Sequence, residues 1–467
     1  MKDTIQGVER FDSPGKGRGL RVTKPFKVGD LIFSCPAYSF VLSAKERGSY
    51  CEYCFNRKEG LAKCGKCKKA CYCNATCQRA DWSMHKLECS SMVAYGPNWC
   101  PSETVRLVAR ILAAMKTQKE RNASEKLMLI GEMQTHVEDV DNARREVNES
   151  EIAGLHRFYS KHLDFPDHSA LLALFSQVAC NGFTVEDEEL SHMGTAVYPD
   201  VALINHSCQP SVIVTFKGTT AEVRAVTPMK KMDEVMISYI DILYPTDDRN
   251  SRLRDSYYFT CDCQECKTKS KDKAKLKVRK RSDPYEPEVV SGMVRYARKK
   301  MGEFRAIKSE KNILLSSKMG LAGKIRPPKN VPSCPNPQTR VCSLDSLAPP
   351  SELLEMCVQS LDEMGTVFDD GNVYMLHMMY QAMGVCLYLG DWDGAIHYGE
   401  KILKPYSVLY PAYSLNVSSM HLKLGRLYMG LEKRSRGLNA LKKAMAIMEV
   451  AHGKDHQYMA ELRKEIK

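Results

Sequence analysis

Cys51-x2-Cys54-x9-Cys64-x2-Cys67-x5-Cys73-x3-Cys77-x7-His85-x3-Cys89 places eight soft ligands, in four closely spaced pairs, within residues 51–89. Two tetrahedral zinc ions need eight such groups, and gaps of two or three residues let neighbouring side chains reach one ion. A segment this short buries too little apolar surface to fold alone. Metal binding must then supply most of its folding free energy, on the order of 10 kcal/mol per ion. Interleaved pairing is favoured, with Cys51, Cys54, Cys73 and Cys77 on one ion and Cys64, Cys67, His85 and Cys89 on the other; the spacing also admits sequential pairing. Cys71, two residues before Cys73, is left out of both sets.

The chain around this block has 467 residues, too many for one core, so two to four domains are expected. With 43% apolar and 27% charged residues it reads as a soluble globular protein rather than a disordered one. No run approaches the roughly 20 apolar residues of a membrane span. Met1 to Arg10 has no apolar leader core, and Glu465-Ile466-Lys467 is no lipidation box. A cytoplasmic and nuclear protein is expected, where thiols stay reduced and nineteen cysteines point to metal rather than disulfides.

Net charge is +12, but Lys267 to Arg281 holds nine Lys/Arg against one acid, Asp272, and supplies eight of the twelve. Such a run reads first as a solvated linker, and second as an import signal or nucleic-acid tether. The finger itself, with eight Lys/Arg, four acids, two zinc ions and seven thiolates, sums to about +1. Phosphate affinity scales with presented positive charge, so direct nucleic-acid binding is disfavoured and a protein-binding finger favoured, although Lys66, Lys68 and Lys69 remain a local patch.

Strands are expected at Leu20-Arg21-Val22 and Leu31-Ile32-Phe33, after the turn cluster Ser13-Pro14-Gly15-Lys16-Gly17-Arg18-Gly19. Beyond the finger, Ser102 caps a helix presenting Val105, Val108, Leu112 and Met115 on one face, and helix continues to about Cys180. Strands return at Val212-Ile213-Val214, at the alternating Ala221-Glu222-Val223-Arg224-Ala225, and from Val235 to Tyr239. Cys261-x-Cys263-x2-Cys266 offers three ligands; Cys208 is the best candidate for the fourth. Residues 311 to 344 carry no acid, and seven of the 21 prolines lie between Pro327 and Pro350, which reads as a loop or disordered insert. From Ser351 on, Met383-Gly384 with Ala395 recurs as Leu424-Gly425 with Ala440, suggesting stacked helical hairpins of tetratricopeptide type. Met375, Met378, Met379 and Met383 read as core filling.

Gly15-Lys16-Gly17-Arg18-Gly19, Asn205-His206-Ser207-Cys208-Gln209-Pro210, Asp233-Glu234-Val235-Met236-Ile237-Ser238-Tyr239 and the closing cysteine triplet together resemble the SET family of protein-lysine methyltransferases. The inserted finger looks like a MYND finger, and from end to end the chain is similar to the SET and MYND domain methyltransferases. Glu52-Tyr53-Cys54-Phe55 and the residues around Tyr239 look closest to the second member of that family. Two positions depart from the family pattern: Ser211 stands where an Asn is expected, and Lys231-Met232 where a Pro-Gly turn is expected.

The resemblance implies an α+β multidomain fold: a β-rich SET core with an inserted MYND finger and a helical insert, a post-SET zinc site, and an all-α tetratricopeptide-like C-terminal domain. The corresponding segments are the first SET part at 1–50, the finger at 51–89, the helical insert at 90–180 and the catalytic SET part at 181–245. The post-SET segment follows at 246–270, then basic linker, helix and Pro-rich insert at 271–350, and the helical domain at 351–467. The resemblance further implies S-adenosyl-L-methionine held by Lys16, Gly17, Arg18, His136, Asn205, His206, Tyr257, Tyr258 and Phe259. A lysine channel would be walled by Phe183, Tyr239 and Tyr257, with Asn181 nearby, and three zinc ions would be structural. Implied partners are histone and non-histone substrates, and Pro-rich proteins at the finger; the protein is expected to be a monomer. The rival readings are a catalytically silent scaffold recruiting Pro-rich partners and a DNA-binding factor. Intact Tyr239, Asn205, His206 and glycine loop argue against the first, and the finger's charge weakens the second.

Overall fold

Alternation and turn chemistry set the first strands. Along the chain these are β1 (Val8–Ser13), β2 (Gly17–Val22), β3 (Leu31–Pro36) and β4 (Ser39–Leu42). The computed structural model describes residues 4–310 and 350–467; the expected insert at 311–344 lies outside them. The finger holds two-residue strands β5 (Ala62–Lys63) and β6 (Cys71–Tyr72), then α1 (Ala75–Tyr95), whose start is capped by the Asn74 side chain accepting from Cys77 N. Next come α2 (Glu103–Thr117), α3 (Asn142–Tyr159) and α4 (His168–Asn181), then β7 (Gly182–Glu186), β8 (His192–Val197) and α5 (Pro199–Ala202). The last strands are β9 (Asn205–His206), β10 (Val212–Lys217), β11 (Thr220–Ala225) and β12 (Met236–Ile237), followed by α6 (Thr246–Tyr257), α7 (Gln264–Thr268) and α8 (Asp272–Lys275). Seven further helices are α9 (Pro287–Glu310), α10 (Pro350–Gly365), α11 (Val373–Leu389), α12 (Trp392–Leu409), α13 (Leu415–Gly430), α14 (Arg434–Ala451) and α15 (Gln457–Ile466).

The chain forms two compact units: Met1–Ile240 with Arg249–Gln264 and Glu449–Gln457, and Asp241–Asp248 with Glu265–Met448 and Tyr458–Lys467. In the first unit the strands make several small sheets: β1-β2, β10-β11-β3 and β4-β8-β7 are antiparallel, and β12 pairs with β9 in parallel. Along β11, Ala221, Val223 and Ala225 are buried while the residues between them are not, as the period of two requires. The β9–β12 pairing, with Met236 beside Asn205 and Ile237 beside His206, joins two segments some 30 residues apart in sequence.

Helix α2 follows the expected face at Val105, Val108 and the partly buried Leu112, but not at Met115. Its buried residues are Val105, Arg106, Leu107, Val108, Ala109, Arg110, Ile111 and Ala113, whereas Met115 is 47% exposed. Burial extends beyond the expected stripe, because two fully buried arginines hold this helix against the finger. Arg106 grips Glu88 with Nε at 2.9 Å and Nη2 at 3.2 Å, and donates to Leu42 O at 2.6 Å. Arg110 donates to Asp81 Oδ1 at 3.1 Å and Phe40 O at 3.2 Å. Tyr159 and Tyr72 hydroxyls donate to Glu88 and Asp81, each at 2.8 Å. Burial alone would raise the Glu88 pKa, but Arg106 and Arg110 hold it well below the usual carboxylate range. Helix is also not continuous to Cys180: residues 118–141 are irregular apart from the single turn Ile130–Glu132.

In the second unit, α11 ends at Gly390 and α12 starts on the Asp391 cap, giving the first tight hairpin; α13 and α14 give the second. Gly425 lets α13 approach α14: a Cβ there would lie 2.7 Å from Leu441 Cδ2. Met375, Met378, Met379 and Met383 are buried in this core. The basic stretch 267–281 is not a free linker. Lys275 is 2% exposed and its Nζ donates to Ile242 O at 2.8 Å and Tyr244 O at 3.0 Å, while Arg279 N donates to Val367 O at 2.9 Å. Satisfied backbone carbonyls make that lysine's burial tolerable. Two expected boundaries also differ. Residues 246–270 divide between the units, and Glu449–Gln457 belongs to the first unit, where Thr215 Oγ1 donates to Ala451 O and His456 Nε2 meets Phe216 O.

Candidate active site and zinc clusters

The finger's ligands converge in interleaved fashion, resolving the pairing that spacing left open. Cys51, Cys54, Cys73 and Cys77 form one group and Cys64, Cys67, His85 and Cys89 another, with ligand atoms of each group within 4.8 Å of one another. Cys54 and Cys73 sulfurs are 3.6 Å apart, Cys64 and Cys89 sulfurs 3.8 Å. Zinc–sulfur bonds of about 2.3 Å in a tetrahedron require sulfurs roughly 3.8 Å apart, so both groups fit zinc. Cys71 faces neither group; its sulfur lies 3.5 Å from Lys69 O. Cys208, Cys261, Cys263 and Cys266 make the third group. Around Cys208, Arg249 Nε donates to the sulfur at 3.2 Å, and His206 Nε2 lies 3.4 Å away. Such outer partners orient a thiolate ligand and balance its charge.

A cavity of about 350 Å³ in the first unit gathers Lys16, Arg18, His136, Asn181, Asn205, His206, Tyr239, Tyr257, Tyr258 and Phe259. That volume suits a nucleoside-sized cofactor. Gly17 and Phe183 are not in the lining; Phe183 lies on β7, edge-on to Tyr198 with ring centres 5.7 Å apart. One wall is aromatic: His136 stacks on Tyr258 at 5.0 Å, and Tyr239 lies 4.9 Å from Tyr257 and 6.3 Å from Phe259. His136 and Tyr258 both hold positive φ, 49° and 61°, an uncommon conformation for side-chain-bearing residues that clusters at functional sites. The other wall is polar, from the β1–β2 turn and β9. Asn181 does not offer its amide nitrogen to the cavity, because Nδ2 donates to Gln134 O and Gln177 O, each at 2.8 Å.

Tyr239 N donates to His206 Nδ1 at 3.0 Å, and the Tyr239 hydroxyl donates to Ile204 O at 2.7 Å. Burial pushes the Tyr239 phenol up and lowers His206 to about 4, so the tyrosine keeps its proton and the imidazole is neutral. With its hydrogen committed to Ile204, the Tyr239 oxygen is an acceptor toward the cavity. Met128, Gln134, Cys180, Leu203 and Asp262 also line the cavity and were not anticipated. They come from irregular segments and element ends, which carry no periodic signal; the only signal for Asp262 would have been its position between two ligand cysteines.

Together, three ligand groups that fit zinc, a β-rich core and a mixed aromatic and polar cavity define a zinc-stapled protein with a cofactor-sized site. The model of the MYND finger matches residues 51–89. "N-lysine methyltransferase SMYD2-A" of Xenopus laevis is 60% identical over 461 residues, covering 99% of each chain. "N-lysine methyltransferase SMYD2" of Homo sapiens is 60% identical over 462 residues, 99% of this chain and 98% of that one. A solved SET domain of LSMT bound to lysine and AdoHcy aligns at 10% identity and a TM-score of 0.34, over 99% of this chain and 92% of that one, too loosely to bear on the site. The chain belongs to the SMYD2 family of N-lysine methyltransferases.

Proposed function

We propose that the 350 Å³ cavity is where a protein lysine is methylated at the expense of S-adenosyl-L-methionine, which supplies an activated methyl group on a sulfonium. Lys16, Arg18, His136, Asn205, His206, Tyr257, Tyr258 and Phe259 would hold the donor, with Gly17 shaping the turn between Lys16 and Arg18; Tyr239 and Tyr257 would wall the lysine entry, with Phe183 behind the lining on β7. A lysine amine is nucleophilic only when neutral, and its reference pKa near 10.4 makes deprotonation cost roughly 4 kcal/mol near neutral pH. Apolar rings around the amine disfavour its ammonium form and lower that cost. The Tyr239 oxygen, left as an acceptor by the bond to Ile204, would accept an N–H of the amine and so fix the direction of the amine's lone pair. With its proton held by Ile204 O and its phenol pushed up by burial, its work would be alignment and stabilisation of the charge developing on nitrogen.

The observation that carries this reading is Tyr239, which lines one cavity with the polar turn and the aromatic wall and has its hydroxyl hydrogen committed to Ile204 O. Tyr239→Phe keeps the ring and should slow single-turnover methyl transfer by about 100-fold or more, with cofactor affinity nearly unchanged. Equal rates would refute the assignment, and a rate loss matched by lost cofactor binding would make Tyr239 structural. We further infer histone and non-histone substrates, Pro-rich partners at the finger, a monomer working in cytoplasm and nucleus, and a role in transcription. Among the described residues no helix is long and apolar enough to cross a membrane. Incubation with labelled donor and a panel of lysine proteins, read by mass spectrometry, tests the substrate class.

A further inference from the structure

We propose that Glu234, which lies outside the cavity lining, is a positioning residue that fixes which end of the Asn205 amide the methyl donor meets. The inference rests on the donor reading above. Asn205 Nδ2 donates to Arg18 O at 3.1 Å and to Glu234 Oε1 at 2.9 Å. A backbone carbonyl and an ionised carboxylate are both acceptors only, so the amide cannot turn over without setting oxygen against oxygen. Both amide hydrogens are thereby consumed, and the Asn205 side chain has only its carbonyl oxygen left for the cavity it lines. The same carboxylate holds Lys16, with Oε2 3.6 Å from Nζ, so one group braces both sides of the polar wall.

The backbone around Glu234 is itself clamped: it bridges Arg21, and Val235 N donates to Leu20 O at 2.8 Å. Gly19 makes the meeting possible, since a Cβ there would lie 2.9 Å from both Asn205 Nδ2 and Glu234 Oε1. An acceptor beside the cations Lys16 and Arg18 matches a zwitterionic amino-acid end: ammonium to Asn205 Oδ1, carboxylate to the cations. The aromatic wall opposite suits the adenine ring. Glu234 therefore serves the amino-acid end of the donor and not its nucleoside end.

That division supplies the test. In the full chain, Glu234→Gln should weaken S-adenosylhomocysteine about tenfold in calorimetric titration, because Gln can donate where only an acceptor stood. Binding of 5′-methylthioadenosine, which lacks the amino-acid end, should stay within twofold of wild type. Glu234→Gln also removes a charge near the ligand's ammonium, so only a loss shared with a charge-preserving variant reports orientation rather than the changed field of the site. In turnover, KM for the donor should rise about tenfold while kcat at saturation stays within twofold, the split expected when ground and transition states lose the same contact. Glu234→Asp keeps the charge but retracts it by one methylene; it should show the same selective loss, and it decides the matter if the Gln variant does not fold. Equal weakening of both ligands would mean general loosening and overturn the proposal, as would unchanged S-adenosylhomocysteine affinity. A wild-type chain that binds neither ligand would instead sink the donor reading itself, before any variant is made.

Discussion

The finger and the helical hairpins of the second unit solve one problem by opposite means. The finger, residues 51–89, has two zinc groups and a buried lattice of Arg106, Arg110, Glu88 and Asp81 at its back. The hairpins have no metal group among the described residues, and are filled by Met364, Leu376, Met378, Met383 and Leu424, all essentially without exposure. Cohesion in the first is directional and ionic, and fails when one partner leaves. Cohesion in the second is distributed over many weak contacts, and degrades by degrees.

Chelation should separate the two most widely. Removing both finger ions costs on the order of 10 kcal/mol each, so protease cuts within 51–89 should appear first while fragments of the helical unit stay protected. Simultaneous loss of both regions would break the comparison. Glu88→Ala comes next. It removes the bidentate partner of Arg106 and one of the two carboxylates facing Arg110, and should cost about 3–5 kcal/mol in denaturant melting, whereas replacing Glu88, Asp81 and both arginines together by apolar residues should cost far less. In the hairpins, Gly425→Ala should cost about 1–3 kcal/mol by overpacking Leu441, and Leu441→Val in the same chain should recover part of it, as expected of a contact that yields gradually. The smallest effect belongs to a control in neither region. Met232 sits at φ +77° and 49% exposed, where the expected Pro-Gly turn would have placed glycine. Met232→Gly should stabilise the chain by up to about 1 kcal/mol and leave chelator sensitivity unchanged, measured by the same melts.

Legibility followed the same division. Ligand spacing is a local covalent signal, so the finger could be read directly, although the choice between interleaved and sequential pairing needed the chain path. Arg106 and Arg110 could not be read, because nothing in an α-helical pattern says that an arginine's partner lies on another element; the stripe through Met115 was the cheaper hypothesis. Lys275 misled in the same way, since a lysine among eight other basic residues gives no hint that two carbonyls await it. The cavity residues were legible through family resemblance alone: Lys16, His136, Asn205 and Phe259 meet from four distant segments with no common period. Glu234 stayed silent because its two jobs are done on neighbours rather than in the cavity.

The strand pairing of the first unit also sets a timetable on the ribosome. Leu31 on β3 finds its partner Arg224 on β11, and Ser39 on β4 pairs with Val197 on β8, only after the finger and helices α2, α3 and α4 have been made between them. At about 5–20 residues per second, the nascent β3 waits roughly ten to forty seconds. The finger's eight ligands are all present once Cys89 has emerged, so it can load zinc and close long before those strand edges are covered. Zinc supply during synthesis therefore governs more than two small knots: it decides whether a folded spacer, or a sticky unfolded one, separates the unpaired edges while they wait.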